Sequence, residues 1–206
     1  MLDNNKLKRL KRNFFNYHPK DVAYKLLGKY LVRNFSYGRI ISKVVETEAY
    51  GGRYDLGCHV GRFGYNRRTS LLFGKTGLAY IYPVHVNTFC LNVVCHNKGK
   101  AGGILIRALE PIEGIDLILK NLDKSKDNYD IKKLLNGPGK LCKALKINKS
   151  LNGFDMIEGD ELYFTEGENI RKEEISSTPR INIPYAGICK RWFWRFIIKD
   201  SEYLSR

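Results

Sequence analysis

Four β-prone runs constrain this chain most: RIISKVVETEAY at 39–50, LAYIYPV at 78–84, FCLNVVC at 89–95 and GILIRALE at 103–110. The last three are separated by only a few residues. A crossover to a parallel neighbour needs about a dozen or more, so these strands must pair mostly antiparallel. HVNT, between the second and third runs, is the tip of a hairpin, and Pro83 beside it marks an edge or irregular position. Helices fill the gaps. Residues 19–31 carry Val22, Leu26, Leu27 and Tyr30 on one stripe behind Pro19. Pro111 opens a second helix through Ile112, Ile115, Ile118, Leu119 and Leu122, and short helices at 131–135 and 140–147 flank NGPG. From Leu162 onward short strands alternate with polar loops and end in KRWFWRFIIK. The length, 206 residues, allows one sizeable core. No repeat or linker divides it, so the expected class is a single α+β domain.

Charge narrows the function. Lys plus Arg is 36 against 21 acids, a net of +15, and residues 1–43 hold eleven basic residues against Asp3 and Asp21. Residues 155–174 are acidic instead. Such polarity suits a polyanion-binding face, because phosphate neutralisation drives nucleic-acid affinity. The other reading is a solvated surface of a Lys-rich protein. With 43 % apolar and 12 % aromatic residues the chain is globular, and no run approaches a membrane span. The basic N-terminus lacks the apolar core and cleavage site of a secretory signal, so a soluble intracellular protein is expected. Cysteines 58, 90, 95, 142 and 189 form no zinc spacing and are expected as buried free thiols.

Three groups of residues could carry chemistry. On an extended strand Val44, Glu46, Glu48 and Tyr50 share one face, with the carboxylates about 6–7 Å apart. That separation allows acid–base work on a glycosidic bond, or simply a solvated face. Tyr80 and Tyr82 share a hairpin face, with Asn92 on the opposite strand. Two rings and an amide can grip a planar heterocycle, or form an ordinary aromatic core. Arg107 interrupts an apolar strand and must reach a carboxylate, solvent or a ligand. Pairing with Glu48 would keep that glutamate ionised.

ETEAY at 46–50, His59, the arginines at 67–68, AYIY…FCLN at 79–92, RALEP at 107–111 and GPGKLCKAL at 137–145 follow in a fixed order. From about residue 19 to the C-terminus the chain resembles the alkyladenine (3-methyladenine) DNA glycosylases. The resemblance implies a curved, mainly antiparallel sheet flanked by helices, with a protruding β-hairpin. It implies a monofunctional glycosylase of base excision repair that flips alkylated or deaminated purines from duplex DNA, with no metal or cofactor. By position, Glu48 matches the base that activates water, and Arg107 matches the arginine that helps position it. Tyr50 matches one wall of the base pocket, and His59 with Tyr82 the opposing wall. Asn92 matches the residue that disfavours guanine through its 2-amino group. The wedge tyrosine of the family falls on His85, a departure; Val84 and Val86 are the other candidates. CHVGRFGYNRRTS at 58–70 also departs from the family pattern. Arg67, Arg68, Lys190 and Arg191 are candidate phosphate contacts. Residues 1–18 are then a basic extension and 19–206 a single glycosylase domain. The expected partner is double-stranded DNA bearing damaged purines, with no membrane and a monomeric protein. A non-catalytic binder of distorted DNA is the competing reading, and an RNA-directed role a weaker third.

Overall fold

A computed structural model of the chain describes residues 7–125 and 129–205. Its axis is β2 (Gly38–Tyr50), whose one edge carries β5 (Gly103–Glu113) along almost its full length. The other edge is shared. β1 (Tyr30–Phe35) pairs along residues 38–43, and β8 (Arg195–Ile198) pairs along 46–48. Outward from β5 come β4 (Thr88–Val94) and β3 (Ala79–His85); outward from β1 comes β6 (Leu162–Thr165); β7 (Ile175–Thr178) pairs with β8. Every pairing is antiparallel and the sheet is open, in an α+β architecture as the short connections required.

Helices cover the apolar face. α1 (Pro19–Lys25) packs on β2 and β5, α3 (Ile115–Asn121) on β2, and α4 (Pro138–Ala144) on β4 and β5. Val22, Ala23, Leu26, Ile40, Val44, Ile104, Ile106 and Leu141 form one buried cluster. At about 1.5–3 kcal/mol per fully buried aliphatic side chain, this cluster is the main stabilising element. The five cysteines are free and buried. No helix among the described residues is long and apolar enough to cross a membrane.

Two expectations are corrected. The helix from Pro19 stops at Lys25, because Gly28 takes φ +81° where a side chain would run into the Glu168 carbonyl; the chain then turns and Tyr30 starts β1. Pro111 does not open a helix. It lies in β5 opposite Ser42, next to a register shift where a missing N–H is tolerated, and α3 begins only after Gly114 at φ +85°. Residues 7–18 are packed down: Leu10 and Phe15 enter the core, and Arg9 bridges to Thr165. Of the basic extension, residues 1–6 lie outside the described residues, as do 126–128 of the polar connector.

Candidate active site

Two β-bulges build the site. Val44 and Ala49 belong to the same core cluster although five residues apart, which an uninterrupted strand would forbid. The register shift at Val45 supplies the extra residue. Val44 therefore faces the core while Glu46, Glu48 and Tyr50 face the other side, so the expected four-residue face has three members. On β5 the extra residue is Arg107 itself: Glu46 lies opposite Ala108 and Thr47 opposite Ile106. The bulge aims Arg107 at the glutamates.

The register then sets out a row of directly paired residues, Tyr80–Asn92–Leu105–Glu48–Arg195, across five strands. Directly paired residues point to the same side of a sheet, about 4.8 Å apart from strand to strand. One step along β2, Tyr50 pairs with Gly103, where the absence of a side chain leaves room for a cavity. That cavity, about 360 Å³ with its open mouth, is lined by Tyr50, His59, Tyr80, Tyr82, Asn92 and Tyr185, among others. The structure thus brings Tyr50, His59, Tyr82 and Asn92 together around one pocket. His59 opens α2 (His59–Phe63), its Nδ1 hydrogen-bonded to the Tyr80 hydroxyl at 2.8 Å and its ring 4.6 Å from that of Tyr82. Burial, with the charges of Arg68 and Arg62, lowers its pKa to about 4, so the ring is neutral at neutral pH. Burial and the Glu48 charge push the Tyr50 hydroxyl well above its ordinary value; burial does the same for Tyr82.

Both glutamates are fully buried, but their partners differ. Glu46 Oε1 accepts from Arg107 Nε (2.8 Å), Arg195 Nε (2.6 Å) and Ser205 Oγ (2.8 Å), and Oε2 accepts from the Ser205 N–H (2.7 Å). Burial alone would raise its pKa; the bonds from Arg195 and Ser205 and the charge of Arg107 outweigh it and hold Glu46 below the usual carboxylate range. Glu48 Oε1 accepts from the Ile181 N–H (2.7 Å) and Oε2 from the Tyr50 hydroxyl (2.8 Å). Arg107 Nη1 stands 3.4 Å from Glu48 Oε1. The arginine does face Glu48, but its hydrogen bonds go to Glu46 and Ser205, so Glu48 receives mainly its charge.

Sequence reasoning missed a clamp behind the pocket. Arg180 and Asp55, both fully buried, form a forked ion pair at 2.6 and 2.7 Å. Asp55 also accepts the N–H groups of Gly51 and Gly57, while Arg180 donates to the carbonyls of Ala49 and Cys189. The guanidinium lies 4.9 Å from the Tyr50 ring centre, and the next residue supplies the N–H held by Glu48. An arginine 125 residues from its aspartate leaves no local signal. Arg195 and Ser205 were missed for the same reason.

The hairpin turn is shorter than HVNT: His85 and Thr88 pair as the last rungs, leaving Val86–Asn87 as the turn. Val84, the extra residue at a bulge, His85 and Val86 are all exposed, Val86 at 91 %. Arg67, Arg68, Lys190 and Arg191 are exposed, Arg68 with its guanidinium 5.2 Å from the Tyr82 ring.

Comparison with known proteins gives first the class: DNA glycosylases, enzymes of DNA repair. Residues 13–202 match the model of the methylpurine-DNA glycosylase family, and the chain belongs to that family. Its relatives include a protein of Clostridium perfringens (strain 13 / Type A), 40 % identical over 96 % of this chain and 99 % of that protein. Another, from Clostridium botulinum (strain Langeland / NCTC 10281 / Type F), is 40 % identical over 96 % of this chain and 98 % of that protein. Both bear the name "Putative 3-methyladenine DNA glycosylase".

Proposed function

We propose that the chain is a monofunctional glycosylase that turns an alkylated or deaminated purine out of duplex DNA and hydrolyses its N-glycosidic bond. The carrying observation is Glu48: buried, aimed by two donors, beside the Arg107 charge, and bonded to the tyrosine that lines the pocket. Glu48 accepts a proton from water as the water oxygen bonds to the sugar C1′. The bonding pair leaves with the base and cancels the positive charge that alkylation put there. A carboxylate fixed in a low-dielectric site also stabilises the cationic sugar of the transition state. Hypoxanthine, neutral before cleavage, needs a proton from elsewhere. Tyr50 on one side and His59 with Tyr82 on the other hold the flipped ring, and Asn92 tests its edge. The names of the clostridial relatives favour 3-methyladenine as a substrate.

His85 is the side chain that enters the duplex, flanked by two exposed valines. His85→Ala should weaken binding to lesion DNA severalfold, and His85→Tyr should preserve it; loss confined to Val86→Ala would move the wedge to the turn. The central test is base release from methylated or hypoxanthine-containing duplex under single-turnover conditions. The expected result is release by the native chain and none by Glu48→Gln, which still binds. Undiminished release by that variant would remove Glu48 from its role. Gel shift of lesion DNA without any release by the native chain would make the protein a binder of distorted DNA.

A further inference from the structure

Charge is distributed unevenly around the aromatic pocket. On the Glu48 side it balances: Arg107 and Arg195 face Glu46 and Glu48, and Arg180 faces Asp55. On the His59 side it does not. Arg68 places its guanidinium 5.2 Å from the centre of the Tyr82 ring, and Arg62, one turn along α2 from His59, lies 4.2 Å from the centre of the Tyr185 ring. Both rings line the pocket. Among the described residues neither arginine has a carboxylate partner. The cations nearer the N-terminus differ: Arg9, Arg12, Lys29, Arg33 and Lys43 all pair with acids of residues 155–168. The two unpaired charges reach into the pocket. Both lower the pKa of His59, and Arg68 opposes the burial that raises the Tyr80 hydroxyl.

Such an arrangement acts on a base that changes charge. When the glycosidic bond of a 7-alkylated purine breaks, the bonding pair moves onto the base, which goes from cation to neutral while the sugar becomes positive. Cations on the base side oppose the bound cation and favour its loss of charge, so they raise the ground state more than the transition state. Resting on the reading of the aromatic pocket as the base site, we propose that Arg68, with Arg62 beside it, is a charge-selecting residue of that pocket. Acting across the Tyr82 ring, it weakens the grip on a cationic purine and speeds the departure of that purine. Both guanidinium groups are exposed in the free protein, so water screens them until DNA covers the rim.

The test uses the full chain and two duplexes of one sequence. One carries 7-methylguanine, a cation, and the other its neutral isostere 7-deaza-7-methylguanine. Affinities are measured in the Glu48→Gln background, where the base stays attached. The phosphates of the two duplexes are identical, so a backbone contact changes both affinities alike and leaves their ratio untouched. Arg68→Met should move the ratio about fivefold toward the cation. With Glu48 present and protein saturating, the same change should slow single-turnover release of 7-methylguanine by about fivefold. Arg68→Lys keeps the charge and should hold both quantities within about twofold of native. Arg62→Met should shift both in the direction of Arg68→Met. The proposal is overturned if Arg68→Met leaves either the ratio or the saturated rate unchanged, or if Arg68→Lys behaves as Arg68→Met does. No release of any base by the native chain would sink the glycosylase reading instead, and the affinity ratio, which needs no release, would still decide the charge effect. Unaltered unfolding midpoints show that the variants are folded.

Discussion

Glu46 and Glu48 lie two residues apart on one strand, equally buried, yet they occupy different chemical regions. An ionised carboxylate has about four acceptor sites. At Glu46 four hydrogen bonds from three residues fall on the group, three on Oε1 and one on Oε2. At Glu48 two hydrogen bonds fix the group and leave acceptor capacity on both oxygens. Burial alone therefore does not mark a catalytic acid or base. What separates the two is the degree of saturation: the more heavily bonded carboxylate holds the scaffold, while the less bonded one keeps more capacity to take a proton.

Exchanging each glutamate for glutamine tests that contrast most severely. Glu48→Gln should lower base release by about a thousandfold or more, within the range of a lost general base, with little loss of stability. Glu46→Gln should do the reverse. It leaves Arg107 and Arg195 with a neutral partner in a buried site, at about 3–5 kcal/mol in urea unfolding. Base release by whatever remains folded should fall far less than in Glu48→Gln. Equal losses of rate in the two variants would erase the distinction.

The clamp belongs to the Glu48 region and should show how much of its geometry is imposed from behind. Arg180→Met leaves Asp55 buried and unpaired, which should cost about 3–5 kcal/mol. Asp55→Asn/Arg180→Met together should cost less than the sum of the single changes, because neither variant charge is then left alone. Thermal or urea unfolding of the three variants gives the coupling directly.

How much of this was legible beforehand follows from the range of each signal. Alternation and short connections revealed the antiparallel sheet, and the order of motifs brought Tyr50, His59, Tyr82 and Asn92 to one pocket. Pattern alone misplaced Val44, since one inserted residue at Val45 inverts which face a side chain takes and leaves no mark in composition. It also extended α1 past Gly28, whose positive φ is required by a contact with residue 168. Arg180, Arg195 and Ser205 reach the site only through tertiary pairing. Resemblance alone singles out Glu48 over Glu46 as the expected base; the partners that distinguish the two glutamates lie more than 130 residues away for Ile181 and Ser205.

Acid separates the two regions again. The folded pKa of His59, about 4, lies below its unfolded value of about 6.5, so the unfolded chain takes the proton first. Stability should fall as pH drops from about 6.5 toward 4, by about 2 kcal/mol at pH 5, and His18, lowered chiefly by burial, acts in the same direction. Glu46, held below its ordinary value, contributes above about pH 4.5, and that contribution is lost only as pH falls through its folded pKa. Urea titrations should therefore show an upper step that His59→Gln largely removes and a lower step that Glu46→Gln removes. A single step insensitive to His59→Gln would mean that the pocket histidine is not held neutral.

The mildest pair of changes removes one hydrogen bond from each glutamate. Ser205→Ala deletes the hydroxyl donor to Glu46 Oε1 but keeps the backbone N–H on Oε2 and both arginines. Tyr50→Phe deletes one of the two donors that aim Glu48 and keeps the ring. Each change removes a bond to a carboxylate, worth about 1.5–3 kcal/mol, and Ser205→Ala also removes an acceptor of Arg107 Nη2. If saturation is the right criterion, the loss at Ser205 should appear as stability, about 2 kcal/mol, with single-turnover release within a factor of about two. At Tyr50 it should appear as rate, about tenfold, because a freer Glu48 spends less time facing the water it must deprotonate. Ground-state binding of an abasic duplex should be unchanged by Tyr50→Phe, since the ring that contacts the pocket is intact. If Tyr50→Phe instead costs stability and leaves the rate alone, the hydroxyl braces the strand, and Ile181 with Arg107 must be sufficient to orient the base.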